Sequence, residues 1–184
     1  MLRRNSVWIF GYGSLIWDPG FSYASRQIAR LDGYERSFCM RSIHHRGTVE
    51  RPGLVLALDE GAGQCEGVAF EVPERIVEES LEYLRARELI SAAYLETRET
   101  VSLRDGHRVE AVTYIIDRQH DQYCGGLPLD EQARIIAQAH GGRGPNCEYL
   151  FNTAAHLAEL GLRDQQLDWL CTRVRELSGT PRSA

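Results

Sequence analysis

Arg104-Asp105-Gly106-His107 stands between two runs rich in Val, Thr, Tyr and Ile, Tyr94–Leu103 and Arg108–Asp117. An Asp-Gly pair flanked in this way signals a tight antiparallel hairpin. Strands joined so closely do not suit a repeated strand–helix–strand alternation, so the chain is expected to be α+β and not α/β. Further strands are expected at Val7–Phe10, Tyr34–Ile43, Leu54–Leu58 and Gly67–Val72, separated by Gly and Pro punctuation.

Helices are expected between and after the strands. Glu74–Glu88 carries Val77, Leu81 and Leu84 at helical spacing. Leu129–His140 is a second, stopped by Gly141–Pro145, and Asn146–Leu160 a third, capped by Gly161. Asp164–Leu177 places Leu167, Leu170, Cys171, Val174 and Leu177 on one face. The tail Gly179–Ala184 is expected to fray. No repeat, low-complexity block or linker divides the chain, so residues 1–184 are expected to form one domain.

Composition excludes several classes. The 184 residues are 43% hydrophobic and 26% charged, ordinary for a globular protein. No run approaches the roughly 18 apolar residues of a membrane span. Val7–Phe10 is too short for the core of a signal peptide, so a cytoplasmic protein is expected. A net charge of −5 gives no basic footprint for nucleic acid. The 5 cysteines are dispersed without a C-x-x-C pair, against a disulfide framework or a structural zinc site.

Two features could carry chemistry. The first is Phe10-Gly11-Tyr12-Gly13-Ser14-Leu15, where glycines let a backbone approach a ligand and turn N–H groups toward an anion or oxyanion. It lacks the Gly-Lys-Ser/Thr ending of a phosphate loop, and alone it also fits a simple tight turn. The second is Glu88, four residues beyond Leu84 on the apolar stripe. Burial and the negative end of a helix both raise a carboxyl's pKa, which suits proton transfer near neutral pH. Arg85 and Arg87 do not share its face at helical spacing. The alternatives are an early helix end with Glu88 in solvent, or a buried pair with an arginine. His44-His45 on a strand would face opposite ways and make a poor metal pair. Ser14 has neither an elbow motif nor a base, and the cysteines read as small core residues.

The chain resembles the ChaC family of glutathione-specific γ-glutamylcyclotransferases, its bacterial members most of all. The resemblance rests on VWIFGYGSLIWDP from Val7, HHRG at His44–Gly47 and RPGLVLALDEG at Arg51–Gly61. It continues through GVAFEVPE at Gly67–Glu74, RELISAAYLETR at Arg87–Arg98 and NCEYLFNTAAHLAELG at Asn146–Gly161. It implies a small mixed β-barrel flanked by helices. It also implies a substrate loop of Ile9, Phe10, Gly11, Tyr12, Gly13, Ser14 and Leu15, a catalytic Glu88, and substrate-binding tyrosines Tyr94 and Tyr149. Many members carry Gly-Gly or Gly-Cys where this chain has Ala92-Ala93. The reaction implied is release of 5-oxoproline and Cys-Gly from glutathione, with no metal or organic cofactor. Two other readings are the same chemistry on other γ-glutamyl amino acids or amines, and a non-catalytic ligand-binding module.

Overall fold

A computed structural model of the protein describes residues 6–89 and 92–179. The basic start and residues 180–184 of the tail lie outside the described residues, as do Ile90 and Ser91. The chain forms two compact units, Met1–Arg36 with Ala57–Asp121, and Ser37–Leu56 with Gln122–Ala184.

The first unit holds a closed mixed barrel in the order β1-β3-β2-β4-β5. Its strands are β1 (Ser6–Gly11), β2 (Ser25–Ser42), β3 (Gly53–Pro73), β4 (Tyr94–Leu103) and β5 (Arg108–Ile116). β1 runs antiparallel to β3, with Ser6 opposite Pro73 and Gly11 opposite Val68, and parallel to β5. β4 and β5 form the expected hairpin, Tyr94 facing Ile116 and Ser102 facing Arg108. Its turn closes by the Leu103 N–H donating to His107 O at 2.8 Å.

Strand alternation sorts β1 into two cores. Trp8 and Phe10 point into one cluster with Leu31, Leu58, Ala69 and Val109. Val7 and Ile9 point into another with Val72, Leu81, Leu84, Val112 and Tyr114. This second cluster seats α1 (Glu74–Glu88), which follows β3 directly after the N-cap Pro73. The continuous apolar run of β1 is thus a strand buried on both faces.

Two strand expectations change. Leu54–Leu58 and Gly67–Val72 belong to one strand, β3. The glycines between them mark close approach rather than a turn: a Cβ on Gly63 would meet Glu35 Oε1 at 2.3 Å. β2 begins at Ser25 and not at Tyr34, because Ala29 and Leu31 are buried in alternation with exposed Arg30 and Asp32.

The second unit packs α2 (Leu129–Gln138), α3 (Asn146–Glu159) and α4 (Gln165–Ser178) together, with Ile136, Leu150, Leu157, Leu170 and Val174 buried. α2 stops before His140 because Ala139 turns extended and His140–Gly141 (β6) pairs with Gly144–Pro145 (β7). Asp164 caps α4 by accepting from Leu167 N–H at 3.1 Å. Leu177 does not join the buried face, which ends at Val174, and is 40% exposed. Asn146 grips Leu54 on both sides, accepting from its N–H and donating to its carbonyl, each at 2.8 Å.

Leu58 is fully buried in the barrel. Leu58→Ala is expected to lower unfolding stability by about 2–5 kcal/mol. A urea midpoint that falls with an unchanged slope is the expected reading.

Candidate active site

The turn leaving β1 and the C-terminal end of α1 meet within the first unit. Gly11 ends the strand, and a Cβ there would come within 2.9 Å of Leu15 Cβ, so the tight turn itself requires glycine. A Cβ on Gly13 would meet nothing within 4 Å, so its surroundings leave the backbone approachable. Ser14–Ile16 then form a single 3-10 turn, with Ile16 N–H donating to Gly13 O at 3.0 Å. The amides of Ser14 and Leu15 stand at its start, where a helical turn supplies no earlier carbonyl. The side chains of Ile9, Phe10, Tyr12 and Leu15 are buried in the two apolar clusters. What this segment can offer a ligand is therefore backbone and the Ser14 hydroxyl.

Two arginines fasten the turn. Arg36 of β2, only 9% exposed, donates Nε–H to Tyr12 O at 2.7 Å and Nη2–H to Glu66 O. Arg87 of α1 donates to Ser14 Oγ at 2.8 Å and to Asp18 O at 2.6 Å. Neither is evident as a site residue in the sequence. Arg36 does carry a signal, since it alternates with Tyr34, Phe38 and Met40 on an otherwise apolar strand face. Arg87 lies off the apolar stripe, and its length lets it reach around the helix end.

Glu88 is the last residue of α1, and its side chain is 17% exposed. The helical stripe does carry a carboxylate into a largely buried position. Its Oε1 lies 3.6 Å from Arg87 Nε, an ion pair rather than a hydrogen bond. Burial pushes the Glu88 carboxyl above the usual carboxylate range, and the Arg87 charge pulls it only part of the way back. The arginine alternative therefore holds in part, without cancelling the effect of burial.

A second network lies nearby. Tyr114 of β5 donates its hydroxyl to Glu96 Oε2 at 3.0 Å. Arg85 forks the same carboxylate, at 2.9 Å to Oε2 and 3.0 Å to Oε1. The Arg85 hydrogen bond holds Glu96 below its ordinary range, while burial and Glu96 push the Tyr114 hydroxyl up. Tyr94 packs on the apolar cluster that includes Tyr114 and Leu84. Just before it, Ala92 adopts φ +55, the left-handed region that favours glycine.

Tyr149 belongs to the second unit, in the first turns of α3. Its hydroxyl accepts from Leu56 N–H at 3.2 Å, and its ring stands edge-on to Phe38. His44 and His45 lie in a bend after β2, not on a strand as expected. Among the described residues no group of three or more His, Cys, Asp and Glu could hold a metal ion. Nor is any described helix long and apolar enough to cross a membrane.

A closed mixed barrel flanked by helices, with a glycine turn at the end of the helix that carries Glu88, has the α+β fold of the γ-glutamylcyclotransferase-like proteins. Residues 7–177 match the family described as ChaC-like protein, and the chain belongs to that family. The glutathione-specific γ-glutamylcyclotransferase of Escherichia coli K12 is 40% identical over 171 residues, covering 93% of this chain and 74% of that one. The human glutathione-specific γ-glutamylcyclotransferase 1 is 34% identical over 163 residues, covering 87% and 73%. A crystal structure of the yeast γ-glutamyl cyclotransferase specific to glutathione superposes with a TM-score of 0.83 at 25% identity, covering 94% of this chain and 97% of that one.

Two stability effects follow. Relieving a left-handed alanine gains about 1–2 kcal/mol, less the entropy cost of glycine, so Ala92→Gly should stabilise by about 0.5–1 kcal/mol in urea unfolding. The raised Glu88 carboxyl means the folded state binds its proton more tightly than the unfolded chain. Its contribution to stability is complete below the unfolded carboxyl's range and is lost as pH rises through the folded one. Glu88→Gln should thus be more stable than wild type at pH 7–8, with the gap closing below about pH 4. Urea unfolding across that range would show equal stability at pH 7–8 if Glu88 were freely solvated.

Proposed function

We propose that the chain is a glutathione-specific γ-glutamylcyclotransferase, with Glu88 carrying the proton between the two ends of the breaking amide. The observation that supports this most is the largely buried Glu88 carboxyl beside the glycine turn, in a chain matched along its length by glutathione-specific relatives. Glu88 takes a proton from the α-ammonium of the γ-glutamyl group. The freed amine nitrogen attacks the γ-carbonyl carbon and closes a five-membered ring. The electron pair moved onto the carbonyl oxygen faces the amides at the start of the 3-10 turn. As the carbonyl re-forms, the bond to the cysteinyl nitrogen breaks and Glu88 returns its proton to that nitrogen. The ring nitrogen, left with two hydrogens, gives its second proton to the freed Glu88 carboxylate, which passes it to the released Cys-Gly amine. The products are 5-oxoproline and Cys-Gly, with no water consumed.

The nucleophile belongs to the substrate, so holding it in the bent shape removes much of the entropic part of the barrier. Tyr94 and the backbone of Gly11–Leu15 are the groups of the first unit assigned to that task. Tyr149 enters through the family motif, and Tyr149→Phe asks whether its hydroxyl does more than accept from Leu56.

Purified protein given glutathione alone should release 5-oxoproline and Cys-Gly in equal amounts. Glu88→Gln should keep the fold and lose about 10²–10⁴ in kcat. Activity of Glu88→Gln within a few-fold of wild type would remove Glu88 from this role. Turnover of other γ-glutamyl amino acids or amines, with glutathione left intact, would move the same chemistry to another substrate.

A further inference from the structure

Glu88 is asked for opposite things within one cycle. As a base it must hold a proton firmly enough to take it from an ammonium, and as an acid it must release that proton to a poor leaving group. Burial serves the first demand and a neighbouring cation the second. Arg85 and Arg87 come from Glu88's own helix, Glu96 from β4 and Tyr114 from β5. Arg85 and Glu96 satisfy one another through a forked pair, and Tyr114 donates its proton to Glu96. Among the described ion pairs, the one carboxylate facing Arg87 is Glu88.

Arg87 also holds the opposite wall of the site. Its guanidinium donates to Ser14 Oγ at 2.8 Å, at the first residue of the 3-10 turn, and to Asp18 O at 2.6 Å, just past its end. The same guanidinium makes a weaker contact from Nη1 to Tyr83 Oη, one helical turn back, at 3.4 Å. One side chain therefore touches both the turn assigned to the oxyanion and the residue assigned to the proton.

We propose that Arg87 is a positioning residue for the cyclisation, coupling the place of the Gly11–Leu15 turn to the charge on Glu88. The proposal rests on the cyclotransferase reading. While Glu88 is a carboxylate, Arg87 is shared between it and the turn. Once Glu88 is protonated, the Arg87 charge has no carboxylate partner, and return of the proton to the cysteinyl nitrogen restores the pair. Arg87 thus favours completion of the cycle over a stalled, protonated Glu88.

The test follows the Glu88 carboxyl by carbon-13 NMR titration in wild type, Arg87→Met, Arg87→Gln and Arg87→Lys, with pH profiles of kcat/KM on glutathione beside it. Arg87→Met should move the Glu88 titration and the acid limb of the rate profile to higher pH together. Activity should fall about ten-fold more at pH 6 than at pH 8. Arg87→Lys keeps the charge without the fork, so the titration should stay near wild type while KM rises. If Arg87→Met does not fold, Arg87→Gln removes the charge with a polar group still facing Ser14, and it should show the same upward movement. A Glu88 titration unmoved in a folded Met or Gln variant would overturn the proposal. A wild type that leaves glutathione intact would instead remove the cyclotransferase reading, and the NMR titration would still decide whether Arg87 and Glu88 are coupled.

Discussion

β1 has neither face in water, and the rest of the first unit is arranged around that constraint. A strand buried on both sides needs a partner for each face. The barrel interior supplies one, through Phe10 and the residues that meet it, and α1 supplies the other against Ile9. Thr113 adds a hydrogen bond from inside the core to Phe10 O at 3.1 Å. Because β1 is held so firmly, the turn that follows it starts from a fixed point. Because α1 must cover Ile9 and Val72, its last turn comes down beside that turn. The meeting of glycine loop and carboxylate is a consequence of covering a two-sided strand.

The same geometry explains why Glu88 is costly. A helix that seats Leu81 and Leu84 in an apolar cluster brings the next position on the stripe to the cluster's edge. A hydrophobic residue would serve packing better there. A carboxylate in its place is a local conflict between stability and chemistry, and such conflicts concentrate at functional sites.

Local pattern made much of this legible in the sequence. α1 runs from Glu74 to Glu88 as its spacing indicates, and the Asp-Gly hairpin has the expected strands to within a residue. Both depend on contacts between near neighbours. The continuity of β3 was hidden because Gly61 and Gly63 look like punctuation, when their role is to admit Glu35 from β2. The early half of β2 was hidden by its charged outward residues. The contacts of the two arginines holding the turn were not legible: alternation marks Arg36 as facing inward, but that it reaches Tyr12, and Arg87 Ser14, across long stretches of chain is encoded by no periodicity.

The sulfur atoms carry one more consequence. Cys39, Cys65, Cys124 and Cys171 are buried, and burial pushes the Cys124 thiol up and the Cys171 thiol up to about 11. Exchange with a small disulfide needs an accessible thiolate. The protein has thus withdrawn most of its cysteines from mixed-disulfide traffic, leaving half-buried Cys147 as the point of contact for such exchange.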